Sequence, residues 1–255
     1  MKTTHRIIQG DCLQVMKKIP DNSIDFICSD FPYNISNNPW LTMRGNKIVK
    51  ADFGDWDKWE MASYLEFVFK VCDEYKRILK PNASLVLFFS YRYSGWISYE
   101  LEKRGLFTFR NPIIFNKTNP QLHYKKNGFR SCHEVGVWLV NDGWNFNKPR
   151  TFNFLGQSKM KNVLNYKIWP KGNRQSKHPT EKPEFLIGGL VEIFTNPWEI
   201  VLDSFAGGGT TGVASYKKWR QAISIEQEPW FIQMIKERQL RAEKKRADSP
   251  FFVDA

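Results

Sequence analysis

Residues 200–214 read I-V-L-D-S-F-A-G-G-G-T-T-G-V-A. An apolar run, Ile200 to Leu202, meets an acid and an aromatic, then glycines at 207, 208, 209 and 212, then a helical pattern. Glycines between a strand and a helix permit a tight turn and a close backbone approach, with the free N–H groups of the helix start turned towards a ligand. The stretch reads as a nucleotide-type cofactor site in an α/β protein.

The spacing leaves the cofactor open. Gly207-x-Gly209-x-x-Gly212 satisfies G-x-G-x-x-G, and Glu226 lies nineteen residues after Gly207 at the end of the next strand candidate. That is the dinucleotide fingerprint, in which the acid bonds ribose hydroxyls. Its place late in the chain and the polar Asp203 and bulky Phe205 before the glycines count against it. A P-loop is excluded because Gly-Lys-Ser/Thr is missing.

Outward from this turn, short β-rich runs alternate with longer helical patterns, which predicts βαβ units and a mostly parallel sheet. The strand candidates are 24–28, 85–89, 113–115, 135–140, 200–202 and 222–225, and the helix candidates are 59–79, 95–103, 183–194, 210–218 and 229–244. In the first helix, Leu65, Val68, Phe69, Cys72, Tyr75 and Leu79 recur at three- and four-residue steps, so one face packs on the sheet, and Lys80-Pro81-Asn82 stops it. Between Asn141 and Lys177 periodicity fails, and the stretch reads as an inserted region without a sheet element. The chain divides as 1–140, 141–177 and 178–255, together forming one composite domain.

The 255 residues, 42% hydrophobic and 15% aromatic, are enough for a large folded core and far from a disordered composition. No apolar run approaches the roughly 18 residues of a membrane span. The start M-K-T-T-H-R lacks a signal-peptide core, so a cytoplasmic protein is expected. Four scattered cysteines give neither a disulfide framework nor a metal site.

The net charge of +12 is unevenly placed. No Asp or Glu occurs from Gly143 to Thr180 or from Lys103 to His133, while lysines and arginines are interleaved there with Trp144, Phe146, Phe152, Phe154, Tyr166 and Trp169. Such spans suit a nucleic acid, with cations on phosphates and aromatic faces on bases.

Residues 29–34, S-D-F-P-Y-N, follow the strand candidate I-D-F-I-C. Alone, Asp-Phe-Pro-Tyr is a turn signal. With the glycine turn it becomes more. D-S-F-A-G-G-G-T-T resembles the F-x-G-x-G motif of S-adenosylmethionine-dependent methyltransferases. D-F-P-Y resembles the D-P-P-Y motif of those that methylate exocyclic amines of DNA bases, and K-H-P-T-E-K-P-E-F-L-I resembles the H-P-T-x-K-P motif of the same family. The motif order is similar to the β group of amino-methyltransferases, over residues from about 8 to 240.

The resemblance implies a circularly permuted, Rossmann-like methyltransferase fold with an inserted target-recognition region. It implies S-adenosylmethionine as cofactor, double-stranded DNA as partner and adenine N6 as target. It leaves room for a homodimer and a cognate restriction endonuclease. Asp30, Phe31, Pro32 and Tyr33 become the catalytic motif. The Asp30 carboxylate and Phe31 carbonyl would accept the amine hydrogens, and Tyr33 would stack on a flipped base. Asp203, Phe205, Ala206, Gly207, Gly209 and Thr210 become cofactor-binding, bordered by Asp30. Glu226 falls to the ribose hydroxyls, Asp11 with Cys12 to the adenine, and His178, Thr180 and Lys182 to the methionine moiety. Arg44, Lys47, Lys159, Lys161 and Arg174 become DNA-binding.

Asp30 in the first motif position favours adenine over cytosine N4, where the family more often has serine. Cytosine C5 chemistry needs a cysteine nucleophile in a setting absent here. A nicotinamide-dependent oxidoreductase is the reading from another class. Phe31 stands where the family usually has proline, and losing that ring frees Asp30 from the pre-proline restriction, so a looser turn is expected.

Overall fold

The computed structural model describes residues 3–34, 41–44, 47–50, 59–120, 122, 126, 128–141, 150–168 and 181–247. The chain runs β1 (His5–Gln9), α1 (Cys12–Met16), β2 (Ile24–Asp30), β3 (Leu41–Arg44), β4 (Lys47–Lys50), α2 (Met61–Ile78), β5 (Leu79–Phe89) and α3 (Ser94–Lys103). It continues through β6 (Phe107–Lys117), β7 (His133–Asn141), β8 (Val163–Tyr166), α4 (Glu184–Phe194), β9 (Ile200–Asp203), α5 (Thr210–Lys217), β10 (Gln221–Glu226) and α6 (Pro229–Ala247). Eight strands form one sheet in the order β1-β10-β9-β2-β5-β7-β6-β8, and β3 and β4 form a separate hairpin. The first five are mutually parallel, β7 is antiparallel to both neighbours, and β8 is parallel to β6.

β2 is buried almost throughout because both faces of the sheet are covered. Successive side chains alternate faces. Ile27, Leu85, Leu87 and Leu139 join Met16, Val68, Val71, Tyr75 and Leu101 on one side. Phe26, Cys28, Val86, Phe88 and Trp138 join Leu186, Ile187, Leu190 and Phe194 on the other. Three layers result, with α1, α2 and α3 on one side and α4 and α5 on the other. Glu60 caps α2 by accepting from the Ala62 and Ser63 amides at 2.9 and 3.2 Å. No helix among the described residues is long and apolar enough to cross a membrane.

The 141–177 stretch is not free of sheet structure. Val163–Tyr166 adds an edge strand, with Asn165 beside Asn116 and Tyr166 beside Lys117. Four residues with a polar Asn are too short to show a period of two. Arg150 is also not a free surface cation: it pairs with buried Asp25, which accepts from Lys80 Nζ at 2.7 Å. Phe152 stacks on Trp138 at 5.3 Å and lies 5.9 Å from Phe194, so its ring packs the fold.

Candidate active site

β9 and β2 lie side by side although Ser29 and Asp203 are 174 residues apart in the chain. Their carboxyl ends open into a cavity of about 940 Å³. Ligand sites of open α/β sheets form at such strand ends.

The glycine turn occupies one end. The Ala206 amide donates to the Ile225 carbonyl at 3.0 Å, tying the turn to β10. Gly209 sits at φ 77°, and a Cβ there would stand 2.8 Å from Ile235 Cγ2. The Gly207 amide donates to Glu226 Oε2 at 2.7 Å, and the Gln227 and Glu228 amides donate to Oε1 at 2.8 and 2.9 Å. Burial pushes the Glu226 carboxyl up, and these three amides oppose the shift. Asp11 caps α1 by accepting from the Gln14 amide at 3.0 Å, and the Gly10 amide donates to the Glu226 carbonyl at 3.0 Å. Asp11, Cys12 and Glu226 therefore share one wall.

Asp203 is buried, and its Oδ1 accepts from Ser29 Oγ and the Phe205 amide, both at 3.1 Å. Thr210 donates to Glu181 Oε1 at 3.2 Å, and Arg238 Nη1 reaches the Gly208 carbonyl at 2.6 Å and Glu181 Oε1 at 2.6 Å. The start of α5 is thus bridged to the chain before α4.

The other end holds Asp30 to Tyr33. Phe31 is buried among Phe89 and Phe205, each 4.7 Å away, and Tyr75 at 6.2 Å. Its amide donates to the Phe88 carbonyl at 3.1 Å, a bond that proline cannot make. The turn expected to be looser is pinned instead, by one extra ladder bond and a buried ring. The Pro32 carbonyl accepts from Tyr64 Oη at 2.8 Å, and Asn34 Oδ1 accepts from the Trp59 amide at 2.9 Å.

Lys182 Nζ donates to Asp30 Oδ2, to Tyr33 Oη at 3.1 Å and, in an ion pair, reaches Glu134 Oε2 at 3.1 Å. Glu134 Oε1 accepts from Lys117 Nζ at 2.7 Å. Asp30 Oδ1 is buried and has no hydrogen-bond partner among the described residues. Burial raises the Asp30 carboxyl above its ordinary value, and the Lys182 ammonium works against that shift. Burial also works to raise Glu134, but the ammoniums of Lys182 and Lys117 overcome it and bring the carboxyl down to about 2. Lys182 is held well above its ordinary value, burial notwithstanding, by Asp30 and Glu134.

A family model for DNA methylases, covering N6 and N4 amino-methyltransferases, matches residues 24–237. The chain belongs to this DNA methylase family. It is 32% identical over 247 residues to Type II methyltransferase M.HinfI of Haemophilus influenzae, across 91% of this chain and 67% of that protein. To Type II methyltransferase M2.LlaDCHI of Lactococcus lactis subsp. cremoris it is 31% identical over 242 residues, across 91% and 88%. Among solved structures, the M1.HpyAVI–SAM complex superposes with a TM-score of 0.64 at 28% identity, covering 91% of this chain and 98% of that one. The cytosine-N4-specific PvuII DNA methyltransferase shares the fold, with a TM-score of 0.70 at 18% identity over 95% and 92%. The glycine turn is thus a methylase's turn, and the nicotinamide reading of its spacing lapses.

In this DNA methylase the cavity brings together Asp11, Cys12, Asp30 to Tyr33, Lys182, Asp203, Phe205, Ala206, Gly207, Thr210 and Glu226. Gly209 shapes the turn from behind. Lys182, expected at the methionine moiety, is placed on Asp30. His178, Thr180 and Arg174 lie outside the described residues, as do the side chains of Arg44 and Lys47 in the hairpin. Lys159 and Lys161 are exposed but not near the cavity. They precede β8, whose Val163 pairs with Ile114, whereas β6 reaches the cavity only at Lys117. Lys161 therefore stands roughly 15 Å down the sheet from that wall. Exposed Lys167, after β8, lies beside it instead, since the Thr118 amide donates to the Tyr166 carbonyl at 2.8 Å.

Sequence reasoning missed Glu134, Lys117, Glu181 and Arg238. Glu134 carries a signal as the first acid after the acid-free span that ends at His133, Lys117 lies within that span, Glu181 stands within the K-H-P-T-E-K-P motif, and Arg238 carries none.

Proposed function

We propose that the chain is a site-specific DNA adenine-N6 methyltransferase that uses S-adenosylmethionine. The observation that carries this reading is Asp30 Oδ1, a buried acceptor without a described partner, in the same cavity as the glycine turn and Glu226. Asp11, Phe205, Gly207, Thr210 and Glu226 fit the cofactor: an acid, Glu226, with an acceptor site left on Oε2 for a ribose hydroxyl, an aromatic face, and a helix start. When bound, S-adenosylmethionine supplies an electrophilic methyl group on a sulfonium.

The protein's task is the amine. The lone pair of an aromatic exocyclic amine is delocalised into its ring, so the amine attacks only after its hydrogens are bound and it pyramidalises. Asp30 Oδ1 and the Phe31 carbonyl accept those hydrogens, and Asp30 offsets the positive charge that develops on nitrogen. Tyr33 gives the flipped base a flat face. An exposed, basic surface including Lys167 meets the phosphates. A cognate restriction endonuclease is proposed with it, because the two relatives named above are Type II methyltransferases.

The test is transfer of labelled methyl from S-adenosylmethionine to duplex DNA, followed by nucleoside analysis. N6-methyladenine is expected; N4-methylcytosine overturns the base, and no transfer overturns the whole reading. Asp30→Ala is expected to abolish transfer while S-adenosylmethionine still raises the melting temperature.

A further inference from the structure

Lys182 lies at the middle of the site, not at its cofactor end. Its side chain is only 7% exposed, its Nζ stands 5.0 Å above the Phe88 ring and 5.3 Å above the Tyr33 ring, and it donates to both Asp30 and Tyr33. One ammonium thereby fixes the carboxylate and the aromatic that flank the same space. Because Lys182 takes Oδ2 of Asp30, Oδ1 is the oxygen left without a described partner.

An ammonium beside Asp30 would by itself oppose the positive charge forming on the amine. Glu134 answers that problem. Its Oε2 is 3.1 Å from Lys182 Nζ, and its Oε1 is held by Lys117, so two acids and two cations alternate from β2 to β6 in a neutral row. A buried charge kept in such a row needs every partner, since removing one strands the others.

We propose that Lys182, anchored by Glu134, is the positioning residue of the methyl transfer: it clamps Oδ2 of Asp30 and Oη of Tyr33 so that Oδ1 faces the amine. The inference rests on Asp30 being the amine acceptor. It gives Lys182 and Glu134 a role in transfer and none in cofactor affinity.

Facing Asp30 are Lys182 from the segment before α4, Glu134 from β7, Tyr33 from its own loop, Asp203 from β9 and Cys28 from β2, with Lys117 of β6 acting through Glu134. Removing Lys182 takes away a cation that favours the carboxylate, and removing the charge of Glu134 takes away an anion that disfavours it. The two changes must therefore move Asp30 in opposite directions.

The experiment is a carbon-13 carboxyl titration of the full chain labelled at aspartate, with Asp30→Asn identifying the resonance, on wild type, Lys182→Met and Glu134→Gln. The Asp30 midpoint is expected to rise by about one pH unit in Lys182→Met and to fall in Glu134→Gln. In single-turnover methyl transfer the acid limb moves the same way. The Lys182→Met plateau falls on the order of 100-fold, while the dissociation constant for S-adenosylmethionine changes less than about threefold. Glu134→Gln is isosteric and carries the titration alone if Lys182→Met does not fold. An Asp30 midpoint unmoved in these variants overturns the proposal. So does a Lys182→Met protein that binds cofactor weakly but transfers at the wild-type rate, which would return Lys182 to the methionine moiety. The titration needs no turnover, so a wild type that methylates no adenine defeats the adenine reading without deciding this one.

Discussion

The Phe31 amide donates to the Phe88 carbonyl at 3.1 Å, extending the pairing of β2 with β5 one residue beyond Asp30. Asp30, whose carboxylate is proposed to accept the amine hydrogens, is thus followed by a further ladder bond, and the ring of Phe31 packs against Phe89, Phe205 and Tyr75. This chain's departure from the D-P-P-Y pattern stiffens the turn because an amide and a buried ring replace a pyrrolidine.

Restoring the family's proline should therefore weaken the protein. Phe31→Pro loses a buried ring and a ladder bond and is expected to lower the unfolding free energy by about 3 kcal/mol or more. Urea titration measures this, and a proline variant as stable as wild type contradicts the packing role.

Gly212 belongs to packing, not to the ligand. A Cβ there would stand 2.1 Å from His5 Nε2 and 2.6 Å from Ser224 Oγ. His5 is locked between Ser224 Oγ and Gln239 Oε1, both at 2.8 Å, and cannot simply rotate away. Gly212→Ala should cost about 2 kcal/mol, and the double variant with His5→Ala should be more stable than the two single costs together allow. Strict additivity in thermal unfolding would show that the close approach is not what excludes a side chain.

Burial pushes the Asp203 carboxyl from 3.8 up to about 7, against the opposing bonds from Thr211, Phe205 and Ser29. The folded chain holds this proton more tightly than the unfolded chain does. Its contribution to stability is complete below about pH 4 and is lost as pH rises towards about 7. Asp203→Asn lacks that dependence, so wild type should lose a few kcal/mol relative to the variant over this window. Paired denaturant curves at several pH values measure the difference; a flat difference, or one that grows with pH, counts against it.

Lys167 and Lys161 are both exposed, yet only Lys167 lies beside the cavity wall. Lys167→Ala should reduce the slope of log K for DNA against log salt by about 0.9, and Lys161→Ala should change it little. Equal effects from the two in fluorescence anisotropy would mean that DNA runs along the whole β6–β8 edge.

Much of this site was legible in the sequence. The glycine turn, D-F-P-Y and the start of α4 are legible because each is a local requirement: φ 77° at Gly209, a carboxylate at a strand end, a helix start. The element pattern was legible too, because buried parallel strands are apolar runs and α2 repeats its buried face every three or four residues. α1, β1, β3, β4 and β8 are not legible in the sequence, since four or five residues of mixed polarity carry too little periodicity.

By itself the sequence determined the strand–turn–helix units, the chemical groups available and their family, since these depend on spacing along the chain. Only the tertiary structure decided which charges meet. Lys182 and Asp30 are 152 residues apart, Glu134 comes from a third element, β7, and Arg150 turns inwards to Asp25. A buried charge must find its partner wherever the sheet order brings one, and that order is set by the packing of both faces of the sheet, which no local spacing records.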